Sequence, residues 1–310
     1  MSDQWDAKQY LRFADHRLRP FLDLVGRAEA VGFPAGAPRW VVDLGCGPGN
    51  ATALLAERWP GAYVLGVDSS PAMIEDAAGR RISGRLDFEL GDLRDWRPGG
   101  GAEGAAELPE LPGLPGPVVT GRPGGGAEGS AELPAQPDQA LPAQPDLILA
   151  NAVFQWVPGQ LDVLSRVAGL LATGGTLGMQ VPGNFDSPSH TILADLVGSA
   201  RWRDLIPVDT KRPSSYDPQV YLDTLENAGL EPDVWETTYL HLVDGENGVA
   251  DFVSGTALRP IITQLSPADA AEFTAAYQAL VREAYPPRQI GGRIGQVLPF
   301  RRIFAVGHKG

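Results

Sequence analysis

The residues best suited to chemistry stand in one short stretch, Asp43-Leu-Gly-Cys-Gly-Pro-Gly-Asn50. Its three glycines let a ligand approach the backbone closely, and a helix that begins just after them offers unpaired N–H groups. An acid ahead of the glycines suits a ligand with an ammonium or hydroxyl group but is unfavourable beside a pyrophosphate. The pattern therefore differs from the Gly-x-Gly-x-x-Gly turn of dinucleotide-binding proteins and predicts another kind of ligand.

A strand and a helix must position this turn. Residues 39–42 predict a short buried strand, and residues 51–59 predict the first turns of a helix. A strand that breaks into a glycine-rich turn and then opens a helix resembles the first motif of class I S-adenosylmethionine (SAM) methyltransferases. The alternative, a tight turn with no ligand, does not account for the acid and the glycines together.

Two further predicted strands end in acids at the same edge of the sheet. Residues 63–68 end at Asp68, and residues 86–90 are followed by Gly91 and Asp92. Because ligands of open α/β sheets bind at the carboxyl ends of the strands, Asp68 is the predicted acceptor for both ribose hydroxyls. Asp92 is placed to accept the exocyclic amine of adenine. Together the three strand ends predict an adenosine site.

Neighbouring residues complete the predicted cofactor site. Met73 could pack on the adenine or in the core, Leu93 could offer an apolar contact or a backbone N–H, and the turn after a fourth strand at 146–150 faces the same edge. The predicted SAM-binding residues are Asp43, Gly45, Cys46, Gly47, Asn50, Asp68, Ser69, Met73, Asp92, Leu93, Asn151, Ala152 and Trp156.

The composition excludes several classes of protein. The net charge of −13 argues against nucleic acid as a partner, since phosphate binding needs a basic face. The single cysteine, Cys46, excludes an intrachain disulfide and is interpreted as a small residue in a tight turn rather than a reactive thiol. Four scattered histidines show no metal-ligand spacing, so no metal is predicted. No apolar run could span a membrane and Met1 opens no signal peptide, so we expect a cytoplasmic protein.

A low-complexity segment interrupts the chain at residues 97–145. The thirteen residues from Arg97 recur from Arg122 with one substitution, and Leu133-Pro-Ala-Gln-Pro-Asp138 recurs at 141–146. Between 98 and 145, six acidic residues stand against one arginine. Such a composition cannot bury enough apolar surface to offset its ordering entropy, so we interpret it as a disordered surface insertion. An inert linker is favoured over a partner-binding segment.

Strands and helices alternate through the first part of the chain, with a helix at 161–171 and a fifth strand at 176–181. This alternation predicts an α/β, Rossmann-like fold with a mostly parallel seven-stranded sheet and helices on both faces. Later predicted helices are 189–198, 221–228, 249–258 and 267–285, and the predicted closing strands are 231–243 and 303–306. We expect one domain over 1–310, divided into lid helices (1–30), an interrupted SAM-binding core (31–185), and a helical substrate cap with the closing strands (186–310).

Longer runs resemble the trans-aconitate 2-methyltransferase family over nearly the whole chain except the insertion. They include Tyr10-Leu11-x-Phe13, Arg17-x-Arg19-Pro20, the glycine turn, Trp235-x-Thr237-Thr238-Tyr239 and Thr256-Ala257-Leu258-Arg259-Pro260. The resemblance implies SAM-dependent carboxyl O-methylation that gives a monomethyl ester of trans-aconitate. The family has a short connection where this chain carries its insertion, and we expect the fold to survive an insertion on a loop.

A carboxylate acceptor is already ionised near neutral pH, so no general base and no catalytic side chain is predicted. Positioning and desolvation would carry the reaction. The substrate is a trianion, and arginines should clamp the two carboxylates that do not react. The predicted substrate-binding residues are Tyr10, Arg17, Arg19, Gln180, His190, Tyr216, Arg259 and Arg301. We expect a small anionic polycarboxylate as the partner and no obligate protein partner.

Three other functions remain open. Another SAM enzyme could methylate a hydroxyl or amine, and it would need a base beside the methyl group, for which His190 is the candidate. A nicotinamide-dependent dehydrogenase is disfavoured by Asp43 and by the Gly91-Asp92 pair. A non-catalytic SAM-binding or partner-binding protein is disfavoured because the motifs are intact.

Overall fold

The computed structural model describes residues 14–99, 142–206 and 214–310. Residues 1–13 with the predicted substrate residue Tyr10, most of the predicted disordered insertion and part of the predicted loop at 211–216 lie outside these described residues. Within the described ranges, no helix is long and apolar enough to cross a membrane.

The first half of the chain alternates between strands and helices, as predicted. Its elements are α1 (Ala14–Gly32), β1 (Trp40–Leu44), α2 (Asn50–Arg58), β2 (Tyr63–Asp68), α3 (Pro71–Ala78), β3 (Leu86–Leu90), β4 (Leu147–Asn151), a 3₁₀ turn (Phe154–Trp156), α4 (Gln160–Ala168) and β5 (Thr176–Pro182). The five strands lie within two residues of their predicted bounds because buried parallel strands are read from short continuous apolar runs.

The second half begins with helices and ends in long strands. Its elements are α5 (Pro188–Gly198), α6 (Pro218–Asn227), β6 (Glu231–Asp244), α7 (Gly248–Val253), a π turn (Ser254–Leu258), α8 (Arg259–Ile262), α9 (Pro267–Ala284), β7 (Arg288–Ile290) and β8 (Arg293–His308). The predicted helix at 249–258 is therefore divided, since its second half is the π turn.

The sheet has the strand order β3-β2-β1-β4-β5-β8-β6, and the short β7 pairs with β8. Strands β1 to β5 are parallel to one another, whereas β8 runs antiparallel to β5 and β6. The prediction of a mostly parallel, seven-stranded Rossmann-like sheet is confirmed, with β7 as a short addition. The chain leaves β1 and β4, which are neighbours, in opposite directions along the sheet, and such a switch point opens a crevice at the carboxyl edge.

Helices cover both faces of this sheet. On one face, Phe21, Leu24 and Ala28 of α1 are buried in one cluster with strand residues such as Val41 and Phe304. On the other face, α4 and α6 bury Leu164 and Leu225 against the sheet. The later part of the predicted lid segment, residues 18–30, lies in α1, whose apolar side chains recur every three or four residues on the face that packs on the sheet.

A third cluster lies among the later helices. Phe273 and Tyr277 of α9 are fully buried with Leu193 of α5 and Phe252 of α7, and Trp202 packs edge-on against Phe273. These helices follow β5 and β6 along the chain and form the body of the predicted cap. The division of the chain into lid, core and cap stays a prediction.

Strand β8 is far longer than the predicted 303–306. It pairs with β6 over fourteen residues, from Glu231 opposite His308 to Asp244 opposite Gly295. Its middle carries Pro299 and the pair Arg301-Arg302, which do not form an apolar run. The long partner strand supplies the hydrogen bonds that the local sequence does not predict.

Candidate active site

The glycine-rich turn leaves β1 in a backbone conformation that only glycine adopts readily. Gly45, Gly47 and Gly49 have φ values of 73°, 55° and 78°. The N–H groups of Gly45 and Cys46 donate to the carbonyl of Val67 at 2.7 and 3.1 Å, which fixes the turn against β2. A Cβ on Gly47 would meet no atom within 4 Å, so this glycine borders open space.

Asp68 ties the turn to the start of α3. One carboxylate oxygen accepts from the N–H of Gly47 at 2.9 Å, and the other accepts from the N–H of Ser70 at 2.9 Å. A carboxylate can accept about four hydrogen bonds, so capacity remains for a ligand's hydroxyl groups. The geometry is consistent with the predicted ribose role.

Asp43 lies beneath the turn rather than in the crevice. Its side chain is 2% exposed and accepts a hydrogen bond from the Thr52 hydroxyl of α2 at 2.6 Å. Burial raises the pKa of Asp43 to about 6, against the lowering effect of Thr52, and the nearby Asp68 charge adds to the increase. The acid ahead of the glycines therefore connects β1 to α2 and acts on a ligand only across the turn.

The raised pKa of Asp43 predicts a specific pH dependence of stability. Between about pH 4 and pH 6 the folded protein keeps a proton that the unfolded chain, with an ordinary pKa of 3.8, has lost. This group therefore lowers stability as pH rises through that window, and the cost persists above it. Asp43→Asn cannot ionise and keeps an acceptor for Thr52, so it should unfold at higher temperature than the wild type at pH 7, by about 2–3 kcal/mol in stability.

The measurement is the difference in thermal midpoint between Asp43→Asn and wild type from pH 4 to pH 7. We expect a small difference at pH 4 that grows towards pH 6 and then levels off. A difference that stays constant over this range would contradict the assignment.

Cys46 is a packing residue of the turn, as predicted. It is 7% exposed, and burial, with the charges of Asp43 and Asp68, raises the pKa of its thiol far above the ordinary value. A protonated, buried thiol is a poor nucleophile.

A side chain of α4 holds the loop that follows β3. Both oxygens of Asp92 contact the Arg94 guanidinium at 2.5–3.0 Å, and this lowers the pKa of Asp92. Arg166 of α4 donates to the carbonyls of Leu93 and Trp96. Sequence analysis missed Arg166, because a lone basic residue on a helix gives no signal for a contact with a distant loop.

The turn after β4 is strained. Ala152 has a φ of 56°, a value that is uncommon outside glycine and often marks functional sites. Its N–H donates to the Gln180 carbonyl at 2.8 Å, and the Gln155 side-chain amide donates to its carbonyl at 2.6 Å. Asn151 is paired in register with Gln180, and its buried Oδ1 meets no donor among the described residues. Trp156 is 58% exposed beside this turn.

The remaining predicted cofactor residues flank these elements. Asn50 begins α2 and is exposed, Ser69 precedes the Ser70 N-cap of α3, and Met73 is half-buried in the first turns of α3. The structure thus brings the ends of β1, β2, β3 and β4 to one edge. The roles of the individual residues in binding SAM stay predictions.

Strand alternation separates Arg301 from Arg302. Arg301 contacts Glu236 at 2.6 and 2.9 Å and Asp217 at 3.5 Å, so two carboxylates already balance its charge. Arg302 points to the opposite face and is 7% exposed, with its guanidinium 3.4 Å from Gln180 Oε1 and 4.3 Å from the Phe300 ring centre. The substrate role of Arg301 stays a prediction, and the alternation of β8 places its neighbour Arg302 on the other face.

Arg19 and the other predicted substrate residues occupy different places. Arg19 stacks over the Tyr239 ring, 5.1 Å from its centre. His190 lies in α5 with Nδ1 at 3.2 Å from the Ser189 hydroxyl, and burial lowers its pKa. Tyr216 is 44% exposed and contacts Tyr221 edge-on. Arg259 begins α8, and the Arg17 side chain lies outside the described residues. Among the members of this set whose side chains the structure describes, Gln180 contacts Arg302 and Arg19 lies over Tyr239 on the same face of the sheet.

In the parts of the chain that the structure describes, no three His, Cys, Asp or Glu side chains are arranged to hold a metal ion.

Comparison with known proteins agrees with the fold. A family model described as a methyltransferase domain matches residues 10–234. The trans-aconitate 2-methyltransferase of Streptomyces avermitilis is 45% identical, over 98% of this chain and 97% of its own length. That of Rhodococcus jostii is 40% identical, over 97% of this chain and 98% of its own length. The YcgJ protein of Bacillus subtilis is 12% identical with a TM-score of 0.51, covering 93% of this chain and 98% of its own, and speaks for the fold alone.

The identity and coverage of these relatives, together with a glycine turn and strand ends arranged as the motif requires, assign the family. The chain belongs to the trans-aconitate 2-methyltransferase family of methyltransferases.

Proposed function

We propose that this protein transfers the methyl group of SAM to one carboxylate of trans-aconitate, giving the monomethyl ester. The names of its relatives support the substrate. The observation that carries the proposal is a buried hydrogen-bond donor, Gln180 Nε2, that meets no acceptor among the described residues, in a side chain whose oxygen faces the Arg302 guanidinium.

The residues at the edge fit SAM. Gly47 leaves open space where a side chain would stand, which gives a ligand access to the backbone. Asp68 is fixed by two backbone N–H groups and retains acceptor capacity for two ribose hydroxyls. The buried Oδ1 of Asn151, which lacks a donor within the described ranges, suits a donor such as the ammonium group of the cofactor.

The Gln180 amide donor and the neighbouring Arg302 guanidinium favour an anionic ligand. A guanidinium has no acceptor, so the Gln180 side chain must turn its oxygen towards Arg302. Its Nε2 then points away, fully buried, and no acceptor among the described residues reaches it. A buried donor without an acceptor is costly, and a cationic neighbour adds the preference for negative charge. A substrate carboxylate supplies both the acceptor and the charge.

The chemistry requires little from the side chains. SAM supplies a methyl group on a sulfonium, so a carboxylate oxygen forms the new O–C bond as the C–S bond breaks and its electron pair stays on sulfur. The carboxylate is ionised at neutral pH and needs no base. Arg302 and Gln180 would hold one carboxylate of the acid in a buried position and so orient another carboxylate towards the methyl group.

The neighbouring strands bring the proposed site of the methyl acceptor close to the proposed site of SAM, the methyl donor. Gln180 of β5 is the register partner of Asn151 in β4, and β4 pairs with β1, from which the glycine turn leaves. In parallel strands these positions share one edge of the sheet. The proposed carboxylate site therefore lies one strand away from the proposed cofactor site.

Methyl transfer from labelled SAM tests this function directly. We expect label on trans-aconitate in preference to cis-aconitate and isopropylmalate. Gln180→Glu, which offers Arg302 a built-in carboxylate, should raise the KM for trans-aconitate about 10- to 100-fold and leave binding of S-adenosylhomocysteine unchanged. Gln264→Glu, in the exposed turn that follows α8, is the control. Label on a hydroxyl or amine substrate, with none on any carboxylate, would overturn the proposal.

A further inference from the structure

Tyr239 of β6 is a meeting point for two arginines from distant parts of the chain. Arg19 of α1 lies over its ring at 5.1 Å. Arg302 of β8 is the register partner of Thr237, two residues from Tyr239, and so shares its face of the sheet. The Tyr239 hydroxyl donates to Asp23 at 2.6 Å, which ties α1 to β6 one turn after Arg19.

Arg19 is held in place without being neutralised. Other arginines that stand on the surface pair with acids: Arg27 with Asp233, Arg58 with Glu29, and Arg301 with Glu236. Within the described part of the chain, no carboxylate lies within ion-pair distance of Arg19, and its contact is the aromatic ring. Stacking on an aromatic ring positions a guanidinium and leaves its N–H fork available.

Arg302, a buried residue, supplies a second positive charge on the same face of the sheet. It is 7% exposed and contacts the neutral Gln180 amide and the Phe300 ring. Both guanidinium charges reach the Tyr239 hydroxyl: they oppose the increase in its pKa that burial and Asp23 cause. Arg19 lies over the Tyr239 ring and Arg302 is two positions along the same face of the sheet, so both guanidinium groups border the surroundings of this one residue.

We propose that Arg19 and Arg302 form a two-point clamp, with Tyr239 as the spacer, for the two carboxylates of the acceptor that do not react. The inference rests on the proposed function and specifies its selectivity. Two guanidinium groups match the two negative charges that remain once one carboxylate has become an ester. A dicarboxylate that presents one carboxylate for reaction leaves one arginine unmatched.

Asp23 has a positioning role in this clamp. Its bond with the Tyr239 hydroxyl fixes the rotation of α1 on the sheet, and Arg19 is four residues earlier on the same helix face. Asp23 does not contact Arg19 within ion-pair distance, so it orders the clamp without competing for its charge.

Binding of trans-aconitate to the protein saturated with S-adenosylhomocysteine, measured by calorimetry, tests the clamp. We expect Arg19→Met and Arg302→Lys each to raise the Kd at least tenfold. Arg302→Lys keeps the buried charge and loses the planar fork, so it avoids the loss of folding that a neutral residue invites. Arg27→Met, on the same helix but paired with Asp233, is the matched control and should stay within twofold.

A substrate comparison separates recognition from general damage. Mesaconate has a methyl group where trans-aconitate carries its carboxymethyl arm. Mesaconate lacks one carboxylate, and a variant of the arginine that holds this carboxylate lacks its partner, so either change deletes the same interaction. One of the two variants should therefore lose most of the wild-type preference for trans-aconitate over mesaconate, measured as the ratio of their kcat/KM values. The other variant should keep that preference.

The failures of the two proposals differ. If the wild type methylates no carboxylate, the proposed function fails. If the wild type methylates trans-aconitate while Arg19→Met and Arg302→Lys bind it as Arg27→Met does, the function stands and the clamp is overturned. Equal losses of S-adenosylhomocysteine affinity and trans-aconitate affinity in both variants would also overturn the clamp, since they would indicate a structural effect.

Discussion

Asp68→Asn is expected to weaken binding of S-adenosylhomocysteine about 1,000-fold. The carboxylate lies at the end of β2 and is held by the N–H groups of Gly47 and Ser70, so its direction is fixed before a ligand arrives. Two charge-assisted hydrogen bonds to ribose hydroxyls, at about 2 kcal/mol each, account for the loss. Asparagine also places an NH₂ group against one of the two backbone donors, which disturbs the turn itself.

The measurement is calorimetric titration with S-adenosylhomocysteine. Asp76→Asn is the matched control, because it removes the same charge from the exposed side of α3 and should bind as the wild type does. A tenfold change or less in Asp68→Asn would show that the ribose is held by other groups, and the turn with its strand-end acids would lose its role as an adenosine site.

The strands that form this site could be predicted because the pattern of apolar residues within each strand indicates its burial. Strand β2 was predicted at 63–68 and β3 at 86–90, and the structure gives both with those bounds. Strand β2 is a continuous apolar run that ends in an acid, as burial on both faces requires, whereas β3 at the edge of the sheet alternates apolar with acidic residues. Both patterns are local, and no distant partner is needed to recognise them.

The groups that we propose to face the methyl acceptor could not be predicted in the same way. Arg301 and Arg302 are adjacent and identical, and only the pairing of β8 with β6 and β5 decides which one points inward. That pairing joins residues far apart in the chain and begins at Arg293, in a stretch without an apolar run. The contact of Arg166 with the loop at Leu93 is likewise a tertiary event. The proposed cofactor site is therefore built largely from local sequence, whereas the proposed acceptor site depends on how distant elements meet.

Gly49→Ala is expected to lower the free energy of unfolding by about 2–5 kcal/mol. The residue has a φ of 78°, and an added Cβ would lie 2.6 Å from two atoms of the Phe88 ring and 3.1 Å from the Ala77 Cβ. The ring is 3% exposed and packed between the sheet and α3, so it cannot move aside without opening the core. The loss combines the cost of a left-handed backbone with that of overpacking.

Gly47→Ala separates the structural use of glycine in this turn from its use in binding. Its φ is 55°, but the added Cβ meets no atom within 4 Å, so only the backbone cost of about 1–2 kcal/mol applies. The same methyl group enters the space proposed for the cofactor and should weaken binding of S-adenosylhomocysteine. Gly174→Ala, at a φ of 75° in open space before β5, measures the backbone cost alone and should bind as the wild type does.

Chemical denaturation and calorimetry on these three variants give the test. Gly49→Ala should lose the most stability, and Gly47→Ala should lose affinity beyond what its stability explains. If Gly47→Ala matches Gly174→Ala in both measurements, the open space at Gly47 is not where the ligand lies. If Gly49→Ala is no less stable than Gly174→Ala, then Phe88 yields to the methyl group, and the close approach of β3 to the turn does not require glycine. Because the expected losses fall on different measurements, the turn's two functions, joining β1 to the core and admitting a ligand to its backbone, can be assigned to different glycines.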